Sequence, residues 1–276
     1  MTPSRDEFDT PLAGLPASER QVLGQTHMEA AVAEVRFVSD RTELPEAEAI
    51  EIWTALGSDE FPVFEKSALS SLNLTVTPDG ANSSTTRQEG WVVATPTRDL
   101  TITLLPAMVI VQTSSYQRFS LSLADPLARA LPAFVDATKS SLVQRIGLRY
   151  INRLSATDAS SPGYWAEQIQ PEFAGPLRGM LGALVQGAHQ QVQVRLDETA
   201  GARIQSGVFR DAGTDERYSF LVDLDVYREQ AMPFEATNCA NVTRQLNRTA
   251  LALFFQVLAP AFVEGLEPRV EEEVHS

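Results

Sequence analysis

Apolar and polar residues alternate along much of the chain with the period of two that is typical of β-strands. Residues 31–38 alternate as a half-buried strand, and Pro45 then opens a segment with helical spacing that Gly57 closes. Short β-branched runs follow, separated by Pro-Asp-Gly, Thr-Pro and Leu-Pro breaks. These runs span residues 72–77, 90–95, 100–104 and 108–112. This order predicts a strand, a helix and an antiparallel meander.

A second helix is expected where Asp125 precedes Pro126, because an acidic N-cap followed by proline is a helix start signal. Pro132 is expected to kink or restart this helix. Further strands are expected at residues 145–154, 191–196, 202–209 and 218–227, and further helices at 164–188 and 238–262. The order of strand, helix, several strands and helix therefore occurs twice. It predicts an α+β fold of antiparallel sheets with packed helices, and it is compatible with two pseudo-duplicated halves, although no sequence repeat relates them.

The same pattern divides the chain into four parts. Residues 1–26 are polar and dotted with proline, which predicts a flexible lead-in. The first α+β half is expected at residues 27–140 and the second at residues 141–266. Residues 267–276 contain three consecutive glutamates and are interpreted as an acidic tail in contact with solvent.

The strand at residues 144–154, with the sequence QRIGLRYINRL, has two chemically different faces. Arg145, Arg149 and Arg153 point to one side, whereas Tyr150 points to the other side together with apolar residues. Guanidinium groups suit the bidentate recognition of phosphate or carboxylate. This strand therefore predicts either a site for an anionic ligand or acidic partner, or a set of internal ion pairs.

The segment FLVDLDVY, at residues 220–227, places Asp223 and Asp225 on one face of a second strand. These carboxylates could bind a metal or act as an acid–base pair, but a metal would need ligands that the spacing does not supply. Cross-strand pairing with the arginines is the favoured interpretation, and no metal is expected. The candidate ligand-binding residues are Arg145, Arg149, Tyr150, Arg153, Asp223 and Asp225.

The sequence contains no recognisable catalytic constellation. Its histidines, His27, His189 and His275, are scattered, and it has neither a Gly-x-Ser-x-Gly elbow nor a glycine-rich phosphate or dinucleotide loop. Cys239 lies near the start of the last predicted helix, where it could be an activated thiolate but is more commonly a small packed hydrophobe. We therefore predict no catalytic residue and no cofactor, which favours a non-enzymatic protein and leaves an enzyme as the alternative.

The formal net charge of −14 and the pI near 4.7 make binding to nucleic acid or anionic lipid unfavourable. The N-terminal residues lack the apolar region of a secretory signal. The longest apolar stretch, residues 250–263, is too short for a membrane span and is interrupted by Gln256 and Pro260. A single cysteine excludes an intrachain disulfide. These features predict a cytoplasmic protein that contacts neither membrane nor nucleic acid.

Three landmarks resemble a sporadically distributed family of bacterial proteins of similar length. They are FPVFEK at residues 61–66, QRIGLRYINRL at residues 144–154, and FLVDLDVY at residues 220–227 before a long C-terminal helix. The resemblance covers residues 30–268, and GLRYINR is its most specific part. Members often have a Leu-His pair in the last helix, where this chain has Leu246 and Asn247, so any role of that histidine is lost here. Because the members are uncharacterised, the resemblance implies a fold and no activity.

Together these features lead to two functional hypotheses. The first is a non-enzymatic bacterial binding or accessory module that acts through protein–protein contact, as part of a mobile or defence-type gene cassette, with a homodimer also compatible. The alternative is an enzyme or sensor that binds a small anionic ligand at the face formed by Arg145, Arg149 and Arg153. A deep polar pocket at these arginines would favour the alternative, whereas arginines matched by Asp223 and Asp225 would favour the first.

Overall fold

The structure is a computed structural model that describes residues 8–17, 21–23, 28–77, 80–211, 217–266 and 268–270. The strands in chain order are β1 (Gln21–Leu23), β2 (Met28–Phe37), β3 (Val63–Thr77), β4 (Gly80–Ala94), β5 (Leu100–Leu105), β6 (Met108–Thr113), β7 (Leu142–Leu154), β8 (Ala188–Arg195), β9 (Ala200–Arg210), β10 (Tyr218–Pro233) and β11 (Pro268–Val270). The helices are α1 (Glu46–Leu56), α2 (Asp125–Thr138), α3 (Trp165–Gln168), α4 (Pro171–Ala174), α5 (Ala236–Val257) and α6 (Pro260–Gly265).

Nine strands form one open antiparallel sheet in the order β3-β4-β5-β6-β2-β7-β10-β9-β8, and β1 pairs separately with β11. The predicted α+β class and antiparallel pairing are confirmed, with a single large sheet in place of several. The segments at residues 145–154 and 218–227 are strands as predicted, within β7 and β10, and they are neighbours in antiparallel register. Because β2 pairs with β7, the two predicted halves of the chain meet at the centre of the sheet.

One face of the sheet carries the core and the other is open. On β2 the side chains of Ala31, Ala33, Val35 and Phe37 are buried, whereas the intervening side chains are partly or fully exposed. The helices α1, α2 and α5 pack on the buried side, and α5 crosses β7 and β10 as expected for its broad apolar stripe. An antiparallel sheet that is covered on one side only is expected to show this alternation.

The helix predictions need three corrections. The stretch at residues 164–188 contains only α3, α4 and short 3₁₀ turns, because Pro171, Gly175 and Pro176 interrupt it, and Gly175 has a φ of 48°. The helix predicted at residues 238–262 ends at Val257, and Pro260 begins the separate helix α6.

The third correction concerns α2. Asp125 is not an N-cap, because a π-helical turn (Ser120–Ala124) precedes it and Ala124 already has helical φ and ψ. The helix also continues through Pro132 to Thr138. Its face with Leu127, Leu131 and Phe134 is buried, and this packing outweighs the hydrogen bond that proline removes.

Part of the segment predicted as a flexible lead-in is packed. Leu12 is buried against α5, and its backbone N–H donates to Thr249 Oγ1 at 3.0 Å. Asp9 forms an ion pair with Arg248 at 2.9 Å. Of residues 1–26, the structure describes only 8–17 and 21–23. Of the predicted acidic tail at residues 267–276, it describes only 268–270.

Candidate functional site

The predicted arginine face lies on the open side of the sheet, where β2, β7, β10 and β9 run side by side. Arg145, Arg149 and Arg153 project from β7 on this side. Asp223 and Asp225 project from β10 beside them, because the register places Asp225 opposite Arg149 and Asp223 opposite Ile151. The structure thus brings together five of the six candidate residues on one surface, which we call the arginine face.

Arg149 and Asp223 form a two-pronged ion pair. Arg149 Nε donates to Asp223 Oδ1 at 2.8 Å, and Nη2 donates to Oδ2 at 2.6 Å. The Asp223 side chain is 6% exposed, whereas the Arg149 side chain is 42% exposed. The hydrogen bonds to Asp223 raise the pKa of Arg149 above its ordinary value. Arg149 therefore covers a carboxylate that is otherwise largely removed from water.

Arg145 is held between strands on both sides. Its Nη1 donates to Glu34 on β2 at 2.5 Å, its Nη2 lies 3.1 Å from Asp225 on β10, and its guanidinium stacks on the Tyr227 ring at 4.8 Å. The side chain is only 11% exposed. Gly147 makes this position available, because a Cβ at that residue would overlap the Arg145 guanidinium. The glycine of the GLRY string thus has a packing role.

Arg153 on β7 and Arg203 on β9 are also paired with carboxylates. Arg153 Nη2 lies 2.5 Å from Asp211 and Nη1 lies 3.3 Å from Glu29, and its guanidinium packs over a ring of β9. The hydrogen bond with Asp211 raises the pKa of Arg153. Arg203, on β9, lies 3.0 Å from Asp225. Each of the three predicted arginines has at least one carboxylate partner.

The sequence prediction omitted several members of this network. They are Glu29 and Glu34 on β2, Arg203 on β9, Asp211 just after β9, and Glu229 on β10. The polar positions of β2 and β9 alternate with buried ones, and this alternation was the available signal. Alternation shows that a side chain faces outward but does not identify the strand beside it.

Tyr150 does not belong to the arginine face, because it lies on the covered side of the sheet. Its hydroxyl donates to Asn247 Oδ1 on α5 at 2.7 Å, and its ring meets Tyr116 edge-on at 5.9 Å. Burial raises the pKa of Tyr150 well above its ordinary value. Asn247 is therefore a contact between α5 and the sheet.

The other chemically reactive candidates are isolated. Cys239 is buried, and burial raises the pKa of its thiol to about 11, which fits a packed side chain better than an activated thiolate. His189 is exposed on β8, and His27 and His275 lie outside the described residues. Among the described residues, no group of histidine, cysteine and carboxylate side chains is arranged to hold a metal ion.

Among the described residues, the charges of the arginine face nearly cancel. A small cleft lies elsewhere, between α4 and the strands β8 and β9, and none of the network arginines lines it. Five arginines of the face, at positions 36, 145, 149, 153 and 203, pair with six acids, at positions 29, 34, 211, 223, 225 and 229. A balanced set of this kind stabilises strand packing more readily than it attracts an anion.

A different surface carries exposed apolar side chains. In the segment between α4 and β8, Met180 is 100% exposed, Leu181 66% and Leu184 75%. This segment leads into β8, which is the last strand of the sheet and pairs only with β9 among the described strands. We call β8 together with Met180, Leu181 and Leu184 the edge surface. Several large apolar side chains exposed close together are unusual for a surface that faces only water.

Comparison with known proteins returns no relative, since no protein-family model, curated protein or solved structure matches the chain. Within the described ranges, every helix is too short or too polar to cross a membrane.

Proposed function

We propose that this protein is a non-enzymatic binding module that contacts a partner protein through the edge surface. The observation that carries this proposal is the exposure of Met180, Leu181 and Leu184 beside β8, whose outer edge pairs with no described strand. Apolar side chains grouped in this way commonly mark a protein interface, and an open strand edge offers backbone hydrogen-bonding groups to a partner.

The balanced charge of the arginine face supports a structural role for that face. Arg145 is largely buried between Glu34 and Asp225, and Arg149 closes over Asp223. Using these arginines for an external anion would leave the carboxylates without their partners, which is costly for a group as buried as Asp223.

A weaker candidate function is the binding of a small anion at Arg149 and Arg203. Their side chains are 42% and 40% exposed, and the Nε of Arg203 is buried without a hydrogen-bond partner. Isothermal titration with inorganic phosphate and pyrophosphate tests this candidate. Saturable binding that Arg203→Ala abolishes would favour it over the partner-binding proposal.

The proposal extends to the origin of the fold and to its setting. A duplication is supported by β2 and β7, which pair at the centre of the sheet and each begin a series of elements that ends in a helix, α2 or α5. The resemblance to a sporadically distributed bacterial family supports a role as a cytoplasmic accessory component of a mobile or defence-type gene cassette. Membership of that family is itself part of the proposal.

Affinity capture from the native host, with quantitative mass spectrometry, tests the partner-binding function. We expect a protein that the wild-type chain retains and that Met180→Asp combined with Leu184→Asp loses at least tenfold. Leu121→Asp is the matched control, because Leu121 is also exposed, at 46%, but lies in the π-helical turn before α2. Equal capture by all three chains would refute the assignment of the edge surface.

A further inference from the structure

The edge strand β8 is unusual in lacking the features that normally prevent strands from pairing with another chain. Its sequence, AHQQVQVR, contains no proline and no charged residue before Arg195 at its end. The opposite edge of the sheet, β3, carries Glu65 and Lys66, and Glu65 is bound by Arg98 at 2.7 Å. Charged residues on an edge strand discourage pairing between sheets, so the start of β3 is protected and β8 before Arg195 is not.

The residues of β8 are complementary to themselves in an antiparallel arrangement. If two copies pair about a two-fold axis at Val192, a residue before Val192 lies opposite the residue that is equally far after Val192 in the second copy. The numbers of two facing residues then add up to 384. His189 then lies opposite Arg195, Gln191 opposite Gln193, and Val192 opposite Val192 of the second copy. No two acids and no two permanently positive side chains face each other, and the glutamine amides can donate to and accept from one another.

From this complementarity we infer that the partner at the edge surface is a second copy of this chain. Antiparallel pairing of β8 with its counterpart joins the two nine-stranded sheets into one sheet and leaves no open edge at β8. Val192, which is 38% exposed, becomes covered at the axis. The inference rests on the proposed function of the edge surface and specifies its occupant.

The apolar segment before β8 is placed to extend this contact. It enters β8 at Ala188, and pairing about Val192 sets Ala188 opposite Leu196 of the second copy. Met180, Leu181 and Leu184 therefore lie in the chain immediately before the paired strand and can add side-chain burial to its backbone hydrogen bonds. Pairing of two edge strands alone covers less area than a stable interface normally has, so this addition matters.

Sedimentation velocity of the purified full chain tests the inference. The wild-type protein is expected to sediment as a dimer of the 30.2 kDa chain at micromolar concentration. Val192→Lys places two ammonium groups together at the axis, and its dimer dissociation constant should rise at least tenfold. Leu121→Lys, which changes an exposed leucine far from β8 in sequence, should remain dimeric. A wild-type monomer, or a dimer that Val192→Lys does not weaken, would overturn the second-copy inference.

Cysteine cross-linking tests the register of the paired strands by a second route, which does not depend on whether the Val192→Lys variant folds. In the Cys239→Ser background, Val192→Cys should form an intermolecular disulfide under mild oxidation. Val194→Cys is the matched control on the same side of the strand, because antiparallel pairing separates the two introduced cysteines by four residues, or about 13 Å. Equal cross-linking of both variants, or none by Val192→Cys, would refute the two-fold pairing.

These results separate the inference from the proposed function. If the wild-type chain is monomeric but the capture experiment still retains a protein that the Met180→Asp and Leu184→Asp substitutions release, the edge surface binds a different protein and only the second-copy inference fails. If neither dimer formation nor the retention of a captured protein depends on these residues, both the second-copy inference and the proposed function fail.

Discussion

Replacing Arg149 with alanine is expected to destabilise the protein more than replacing its partner, Asp223. In Arg149→Ala the Asp223 carboxylate, whose side chain is 6% exposed, loses hydrogen bonds of 2.6 and 2.8 Å. Leaving one member of a buried pair alone costs about 3 to 5 kcal/mol, and breaking an exposed pair costs at most about 1 kcal/mol. Because Arg149 is 42% exposed, water can enter the vacated position. We therefore expect Arg149→Ala to lower the free energy of unfolding by about 2 to 3 kcal/mol.

The reverse substitution should cost less. Asp223→Ala leaves a guanidinium that water already reaches, so we expect a loss of about 1 kcal/mol. The double variant has no unpaired carboxylate and should be more stable than Arg149→Ala alone, with a coupling energy of about 1 to 2 kcal/mol. The two single variants should differ in stability because the Asp223 side chain is buried and the Arg149 side chain is partly exposed.

Urea unfolding followed by circular dichroism measures these differences, and thermal melts give a second reading. For a chain of this size, about 1 kcal/mol corresponds to a fall of about 2 to 4 °C in Tm, so Arg149→Ala should melt at least about 4 °C below wild type. Arg36→Ala is the control, because Arg36 is 47% exposed and Glu34 keeps its bond to Arg145. An Arg149→Ala variant as stable as the control, with additive effects in the double variant, would refute the internal pairing and favour an external ligand.

Three further predictions concern two positions, Gly147 and Cys239, where packing leaves little freedom. Gly147→Ala should cost about 1 to 3 kcal/mol in urea unfolding, since its Cβ displaces the Arg145 guanidinium, whereas Gly265→Ala, with open space around it, should be nearly neutral. Cys239 should react with Ellman's reagent at pH 8 only after unfolding, and rapid reaction of the folded protein would contradict its burial. Burial raises the folded-state pKa of Cys239 from 9.0 to about 11. The contribution of Cys239 to the free energy of unfolding should therefore be complete below pH 9 and decline as the pH rises toward 11. A Cys239→Ser variant should lack this decline.

The two-faced character of β7 and β10 could be predicted from the sequence because side chains on a strand alternate with an exact period of two. That period predicts that Arg149 and Asp223 lie on outward faces, and pairing between them is the interpretation that the sequence favours. The same period also placed Tyr150 on the opposite side from Arg149. Grouping Tyr150 with the arginines as a ligand-binding residue disregarded this alternation, and the contact of Tyr150 with Asn247 follows it.

The remaining partners could not be predicted because they depend on the order of strands in the sheet. Glu34 lies 111 residues before Arg145, and Asp211 lies 58 residues after Arg153. Nothing local to these residues identifies β2 and β9 as the strands that flank the pair β7 and β10. The long helix expected at residues 164–188 does not form for a different reason, because Pro171, Gly175 and Pro176 interrupt the segment.

A cluster of arginines in a sequence indicates a high density of positive charge, but it does not show that this charge is available to bind an anion. Antiparallel neighbours bring acids beside the arginines, and once these pairs form, an external anion must compete with carboxylates already in place at 2.6 to 3.1 Å. Apolar side chains at the edge have no comparable partner, because exposed methionine and leucine gain free energy from any contact that removes them from water. The free energy available for binding therefore lies at Met180, Leu181, Leu184 and β8, even though the arginine strand is the more conspicuous feature of the sequence.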